Sequence, residues 1–139
     1  MSDTFPPELH YHVEHQVWAR FEGRRARVGI TSLGIRLAGE IYMCRPKPVG
    51  SAVEQGRSVA VVELAKSIVS VKSPVGGTVV AVNPKLESTP ELVHRDPYGD
   101  GWLAVLELAD WERDRAALLH GDAVAAAMAH HAWLHRADE

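Results

Sequence analysis

The chain contains one cysteine, Cys44, so it forms no internal disulfide and needs no oxidising compartment. A lone cysteine is most often a small buried apolar residue, and Cys44 has no adjacent base to make it a nucleophile. No apolar run is long enough to cross a membrane. The opening residues, Met1-Ser2-Asp3-Thr4-Phe5-Pro6-Pro7, lack the basic and apolar regions of a secretory signal. The cytoplasm is therefore the expected location, although a processed organellar protein would read the same way.

Positive charge is not in excess either. Fifteen Lys and Arg face 18 Asp and Glu, a formal net charge of −3, which argues against a nucleic-acid binder. The run Arg24-Arg25-Ala26-Arg27 is too short for a binding groove and reads as a solvated turn. There is no G-x-S-x-G nucleophile pattern and no phosphate-cradling glycine loop, because Gly76-Gly77 reads as a turn between strands. Asp96 and Asp100 flank a glycine-rich turn but lack the other ligand positions of a calcium loop. Eight histidines are present; His131 and His135 have a helical i, i+4 spacing used by zinc sites, but no Cys or carboxylate cluster completes a site. They read as capping or solvent-facing residues. The tryptophans Trp18, Trp102, Trp111 and Trp133 read as packing anchors.

What is present is an ordinary globular composition, 46% apolar and 24% charged over 139 residues. That suits one domain, residues 1–139, with a β-core over about 13–108 and C-terminal helices over about 110–137. Residues 1–10 read as an extended lead-in, with His10 and His12 on one face of a possible strand. Val17 to Phe21 predicts a strand, Glu22-Gly23 a turn, and Ala26 to Thr31 a second strand. Thr31 or Ser32 caps a short helix through Leu37, stopped by Gly39. Glu40 to Cys44 is strand-like and is broken by Pro46 and Pro48. Thr78 to Val82 is another strand. Thr89-Pro90-Glu91-Leu92 looks like a capped helical turn with proline at its first position. Residues 96–101 form a turn cluster, and Trp102 to Leu108 alternates. Asp110 caps a helix through about Leu119, and an alanine-rich helix runs from Ala123 to Arg136. Pro48-Val49-Gly50 and Pro74-Val75-Gly76 give a faint internal echo, in keeping with two similar β-halves.

The centre carries the chemistry. Ser58 to Leu64 and Ile68 to Val71 are dense in β-branched residues, and only Ala65-Lys66-Ser67 separates them. Two such runs with so short a gap predict a β-hairpin with Lys66 at its tip. A carrier arm needs a primary amine that a modifying enzyme can reach, on a base rigid enough to present it. Lys66 stands within a wider pattern formed by Gly50, Val53, Gly56, Val59, Glu63 and Lys66, followed by Pro74, Gly77 and Val79. Gly50 and Gly56 permit turns, Val53 and Val59 point into a small β-core, and Gly77 lies where the second half of the sheet must turn.

This pattern resembles the lipoyl and biotinyl carrier fold. The resemblance implies a mainly β, flattened barrel or sandwich with the modified lysine on an exposed hairpin. Biotin carriers flank that lysine with methionine; Ala65 and Ser67 stand here, which favours lipoate. Glu63 holds the place, three residues before the lysine, that helps the lipoylating enzyme choose its target. The longer resemblance is to the glycine-cleavage H protein family. It rests on Glu14-His15, Val28-Gly29-Ile30-Thr31, Gly39-Glu40-Ile41, Val61-Val62-Glu63-Leu64-Ala65-Lys66, Ser73-Pro74-Val75-Gly76-Gly77, Val82-Asn83 and Pro90-Glu91-Leu92-Val93. The most distinctive block is Asp96-Pro97-Tyr98-Gly99-Asp100-Gly101-Trp102-Leu103, which simple lipoyl domains lack.

The resemblance implies a non-catalytic carrier with lipoic acid amide-linked to Lys66. Its implied partners are a lipoate ligase or lipoyltransferase, glycine decarboxylase, aminomethyltransferase and dihydrolipoamide dehydrogenase. In that system an aminomethyl group from glycine passes to a lipoyl sulfur and on to tetrahydrofolate. Departures cluster near the arm. The family's Glu-Ser-Val-Lys-Ala is Glu63-Leu64-Ala65-Lys66-Ser67, and the following acidic and aromatic residues give way to Ile68-Val69-Ser70-Val71-Lys72. His-Glu-Trp-Val becomes His15-Gln16-Val17-Trp18, and Met43-Cys44-Arg45-Pro46-Lys47-Pro48 replaces an apolar-acidic run. Charge around an arm governs which partners it meets. The reading favoured by these departures is an H-like lipoate-binding protein of sulfur oxidation, working beside a heterodisulfide-reductase-like complex. A genuine glycine-cleavage H protein is the first alternative, and an unmodified H-like scaffold is one of another class.

Overall fold

The computed structural model describes residues 3–136. Residues 1 and 2 of the expected lead-in, and residue 137 at the expected end of the helices, lie outside the described residues. Among the described residues nine strands form two antiparallel sheets. The larger sheet has the order β1 (His10–His12), β2 (Val17–Glu22), β3 (Arg25–Ile30), β9 (Ala104–Leu108), β8 (Gly77–Val82), β5 (Ala52–Val53). The smaller has β6 (Ser58–Glu63) between β4 (Met43–Pro46) and β7 (Ile68–Lys72). The result is a flattened sandwich; the two ladders stay separate and no closed barrel forms among the described residues.

The main core fills the space between the sheets. Val17, Ala19, Val28, Val79 and Leu106 of the larger sheet meet Cys44, Ala60, Val62 and Val71 of the smaller. Val53 and Val59 point into this core as the spacing predicts, and Gly50 and Gly56 occupy turns at φ +98° and +84°. Gly77 acts differently from the expectation. It opens β8, and any β-carbon there would drive into the carbonyl of Glu107 on β9. Glycine is needed for close strand approach, and the turn itself falls just before it.

A second cluster lies outside the larger sheet, where Leu9, Tyr11 and Trp18 meet Leu33, Val124 and Met128. The last three come from α1 (Ser32–Ala38) and from α4 (Ala123–Leu134). Helix α1 begins where the sequence places it and ends at Ala38, one residue beyond the expected Leu37. The Thr31 hydroxyl accepts from the Gly34 amide at 2.9 Å, and Gly39 ends the helix at φ +85°. Gly29, opposite Trp18, leaves the space that the indole fills: a β-carbon would sit 2.5 Å from Trp18 Cζ2.

Several expectations are corrected. Strand β4 starts later than Glu40 and includes Pro46, opposite Ala60. Lys47 N–H donates to the Val59 carbonyl, so the ladder bonds flank Pro46 and its nitrogen faces the open edge, where a sheet tolerates proline. Arg25–Arg27 belong to β3 and not to a turn; Ala26 is buried and Arg27 lies over the Trp102 ring at 4.8 Å. Helix α2 spans Leu92–Arg95 without a side-chain cap, so Thr89 and Pro90 form a lead-in turn. Asp110 does cap, accepting from Arg113 N–H, but α3 covers only Trp111–Asp114 before a 3₁₀ turn. The chain leaves the helix because Leu119 exchanges two backbone hydrogen bonds with Tyr11. Trp133 is 59% exposed and stacks on Arg136, so it anchors no core. The echoed turns differ as well, with Val49 exposed and Val75 buried.

Candidate functional site

Strands β6 and β7 form the predicted hairpin, in register Glu63↔Ile68, Val62↔Val69, Val61↔Ser70 and Ala60↔Val71. Strand β6 stops at Glu63, one residue short of the expectation. The ladder nevertheless continues, because Leu64 N–H donates to the Ser67 carbonyl at 2.8 Å. Ala65 and Lys66 are left as the apex. Short hairpins usually use glycine or asparagine at positive φ. Here neither apex residue has positive φ; among non-glycine residues described, only Gln16 does. This explains why the turn carries no glycine in its sequence.

The apex is open to solvent. Residues 65–70 are all exposed, and Lys66 makes no hydrogen bond or ion pair among the described residues. Its base is firm, since Leu64 packs against the main core and Val62 lies within it. An amine with no competing partner, on a buttressed hairpin, fits amide attachment of a carboxylic acid such as lipoate. Lys72, the other lysine of the hairpin, lies within β7 and is partly buried. The geometry therefore separates the two amines.

Glu63 is half-buried at the end of β6, facing Met43 on one side and Ile68 on the other. With Met43, Arg45, Val61 and Ile68 it frames a shallow cleft of about 300 Å³ on the outer face of the smaller sheet. A second groove of about 360 Å³ runs along β4, lined by Met43, Cys44, Arg45, Pro46, Leu86 and Glu87 among others. Burial pushes the Cys44 thiol up to about 12, so it stays protonated.

Two supports of the site escape sequence reasoning. His94 Nε2 accepts from the Ile41 amide at 3.0 Å, tying α2 to the chain entering β4. Asp114 is fully buried, and its Oδ2 accepts from the Gly76 amide at 2.7 Å. Gln55 Nε2 donates to the Asp114 and Pro74 carbonyls at 2.8 and 3.0 Å. This clamp fixes the Pro74–Gly77 turn that follows β7. No spacing rule connects positions 38 residues apart, so nothing in the sequence signals the contact.

Six of the eight histidines lie ring to ring in pairs. Ring centroids of His10 and His120 are 4.1 Å apart, of His12 and His15 4.4 Å, and of His131 and His135 4.3 Å. No group of three or more His, Cys, Asp or Glu side chains is placed to hold a metal among the described residues. No helix among them is long and apolar enough to cross a membrane.

A flattened two-sheet sandwich with a lysine at the apex of an exposed hairpin and helices after the last strand defines the lipoyl-carrier class of fold. Residues 9–131 match the family model described as Glycine cleavage H-protein. The chain is 41% identical over 120 residues to glycine cleavage system H protein 2 of Aquifex aeolicus, covering 86% of this chain and 74% of that protein. It is 43% identical over 111 residues to the glycine cleavage system H protein of Mycobacterium avium, covering 79% and 83%. The crystal structure of a glycine cleavage system H protein from Mycobacterium marinum superposes with a TM-score of 0.71 at 24% identity, over 94% of this chain and 98% of that one, and shows the fold. The chain belongs to the glycine cleavage H-protein family, a family of carriers that hold lipoate covalently on a lysine.

Proposed function

We propose that this chain, as one carrier domain over residues 1–139, holds lipoate in amide linkage to Nζ of Lys66 and is itself non-catalytic. The observation that carries this reading is the apex position of Lys66, exposed and without a partner among the described residues, on a hairpin whose inner residues are locked into the core. A lipoyl group supplies a dithiolane that opens to thiols and takes up a transferred group. The residues of the chain supply everything else. Val62 and Leu64 hold the base of the arm still, the glycine-free apex sets its exit direction, and Glu63, three residues before Lys66 at the end of β6, serves recognition by a lipoate ligase or lipoyltransferase.

The names of the relatives support a role in glycine cleavage, with glycine decarboxylase, aminomethyltransferase and dihydrolipoamide dehydrogenase as partners. A second reading, an H-like carrier of sulfur oxidation beside a heterodisulfide-reductase-like complex, is favoured by one feature: β7 carries Lys72 and no acid beside the arm. The first experiment is an intact mass of protein from its native host with peptide mapping. One lipoyl increment on Lys66, absent from Lys66→Arg while the fold is retained, is the expected result. An unmodified Lys66 in a lipoylating host, or lipoate on Lys72, refutes it and leaves the scaffold reading. The loaded protein then separates the pathways: glycine decarboxylation with the glycine-cleavage partners supports the first, and its absence beside an active control H protein supports the second.

A further inference from the structure

The outer edge of β7 is an open strand edge beside the arm, and the hydrogen-bond pattern identifies which groups it offers. Lys47 N–H donates to Val59, so Val59, Val61 and Glu63 of β6 bond to β4. Leu64 N–H donates to Ser67, so Leu64, Val62 and Ala60 bond to Ser67, Val69 and Val71. An antiparallel ladder alternates, which turns the backbone groups of Ile68 and Ser70 away from β6. The bulge at Val59 shifts the register by one. Beyond it Ser73 N–H donates to Arg57, and Lys72 also turns outward. Ile68, Ser70 and Lys72 thus present three N–H and three C=O groups along one edge, with no backbone partner among the described residues.

Proteins normally blunt such an edge with proline, an inward charge or a covering element. The β4 edge of the same sheet has Pro46. The β7 edge has Ile68-Val69-Ser70-Val71, with Ile68 68% and Val69 43% exposed. Its charges sit at the two ends, Lys66 and Lys72. From residue 64 to residue 86 the chain contains Lys66, Lys72 and Lys85 and no acidic residue. A second copy of this chain is a poor occupant, because antiparallel self-pairing about Ser70 brings two lysine-bearing strands together. An acidic extended segment suits both the backbone row and the charge.

We propose that the enzyme that works on Lys66 docks by adding an extended acidic segment as a fourth strand along Ile68, Ser70 and Lys72. This rests on the carrier reading above. Ile68 lies two residues from Lys66, about 7 Å along a strand. A segment bonded to Ile68 and Ser70 therefore sets where the amine falls in the enzyme, with few demands on side chains.

The experiment uses unmodified full-length protein and a lipoate–protein ligase without nucleotide, followed by amide exchange. In the free protein the amides of Ile68, Ser70 and Lys72 exchange quickly and those of Val69 and Val71 slowly. With ligase bound, protection rises by about tenfold or more at the first three. Ser70→Pro removes one outward N–H while sparing the ladder to β6, because that N–H bonds nothing. With nucleotide and lipoate, Ser70→Pro is labelled on Lys66 about tenfold more slowly, and Ser70→Ala at the wild-type rate. Unchanged protection in the complex, wild-type labelling of Ser70→Pro, or a dimer of this chain protecting the same amides overturns the proposal. If Ser70→Pro loses its fold, the amide exchange of the wild type decides. A wild-type protein that is not labelled on Lys66 at all refutes the carrier reading instead, before any edge variant is made.

Discussion

Replacing Asp114 by alanine tests how the turn after the arm hairpin is held. The carboxylate is 0% exposed, and its Oδ2 accepts from the buried Gly76 amide at 2.7 Å. Truncation removes a charge-assisted hydrogen bond and leaves the Gly76 N–H buried without a partner. Together these cost about 3 kcal/mol. The Arg113 contact at 3.3 Å adds little, because that side chain is 66% exposed. For 139 residues the unfolding entropy is roughly 0.3 kcal/mol/K, so Tm falls by about 10 °C. Asp114→Asn keeps an acceptor for Gly76 but loses the charge and turns an NH2 toward the partly exposed Arg113, so Tm falls by about 3 °C. Differential scanning calorimetry reads both, and amide exchange at Gly76 quickens more in the alanine variant. A Tm for Asp114→Ala within about 2 °C of wild type, or an asparagine variant worse than the alanine one, refutes the clamp.

Three further outcomes are expected. Lys66→Arg leaves Tm within about 1 °C of wild type, because the side chain is exposed and has no partner among the described residues, and calorimetry checks it. Burial first, then the charges of His120 and Arg115, lowers His10 to about 4 from an ordinary 6.5. The neutral ring is favoured in the folded protein, so its contribution to stability is complete above pH 6.5 and is lost as pH falls toward 4. Tm measured across that window drops less in His10→Phe than in wild type. Cys44, buried and pushed up to about 12, resists an aromatic disulfide reagent at pH 8 in the native protein and reacts fully in denaturant.

Much of the fold was legible because its signals are local. The Thr31 cap and Gly39 stop bound α1 within a residue, and the β-branched runs around Lys66 mark the hairpin from spacing alone. The boundaries that shifted depend on distant parts of the chain. Helix α3 ends early because Leu119 pairs with Tyr11, more than a hundred residues away in sequence. Strand β5 has two residues, too few for any alternation to show. Pro46 reads as a breaker until the strand is seen to lie at an edge. Lys66 stood out in sequence because a short hairpin leaves few positions for an arm, whereas Glu63 was marked only by the family resemblance. The Asp114 clamp and the His94 contact left no trace, since an isolated acid or imidazole announces no partner.

Pro46 and β7 together have a consequence for assembly. Open-ended stacking of identical sheets requires each copy to donate one edge and accept on the other. In the smaller sheet the β4 edge is interrupted by an imide nitrogen that has no proton to give, while the β7 edge is complete. Growth that begins at β7 therefore meets a terminator one subunit later. A complete strand edge can therefore lie beside Lys66 without the sheet becoming the seed of a fibre.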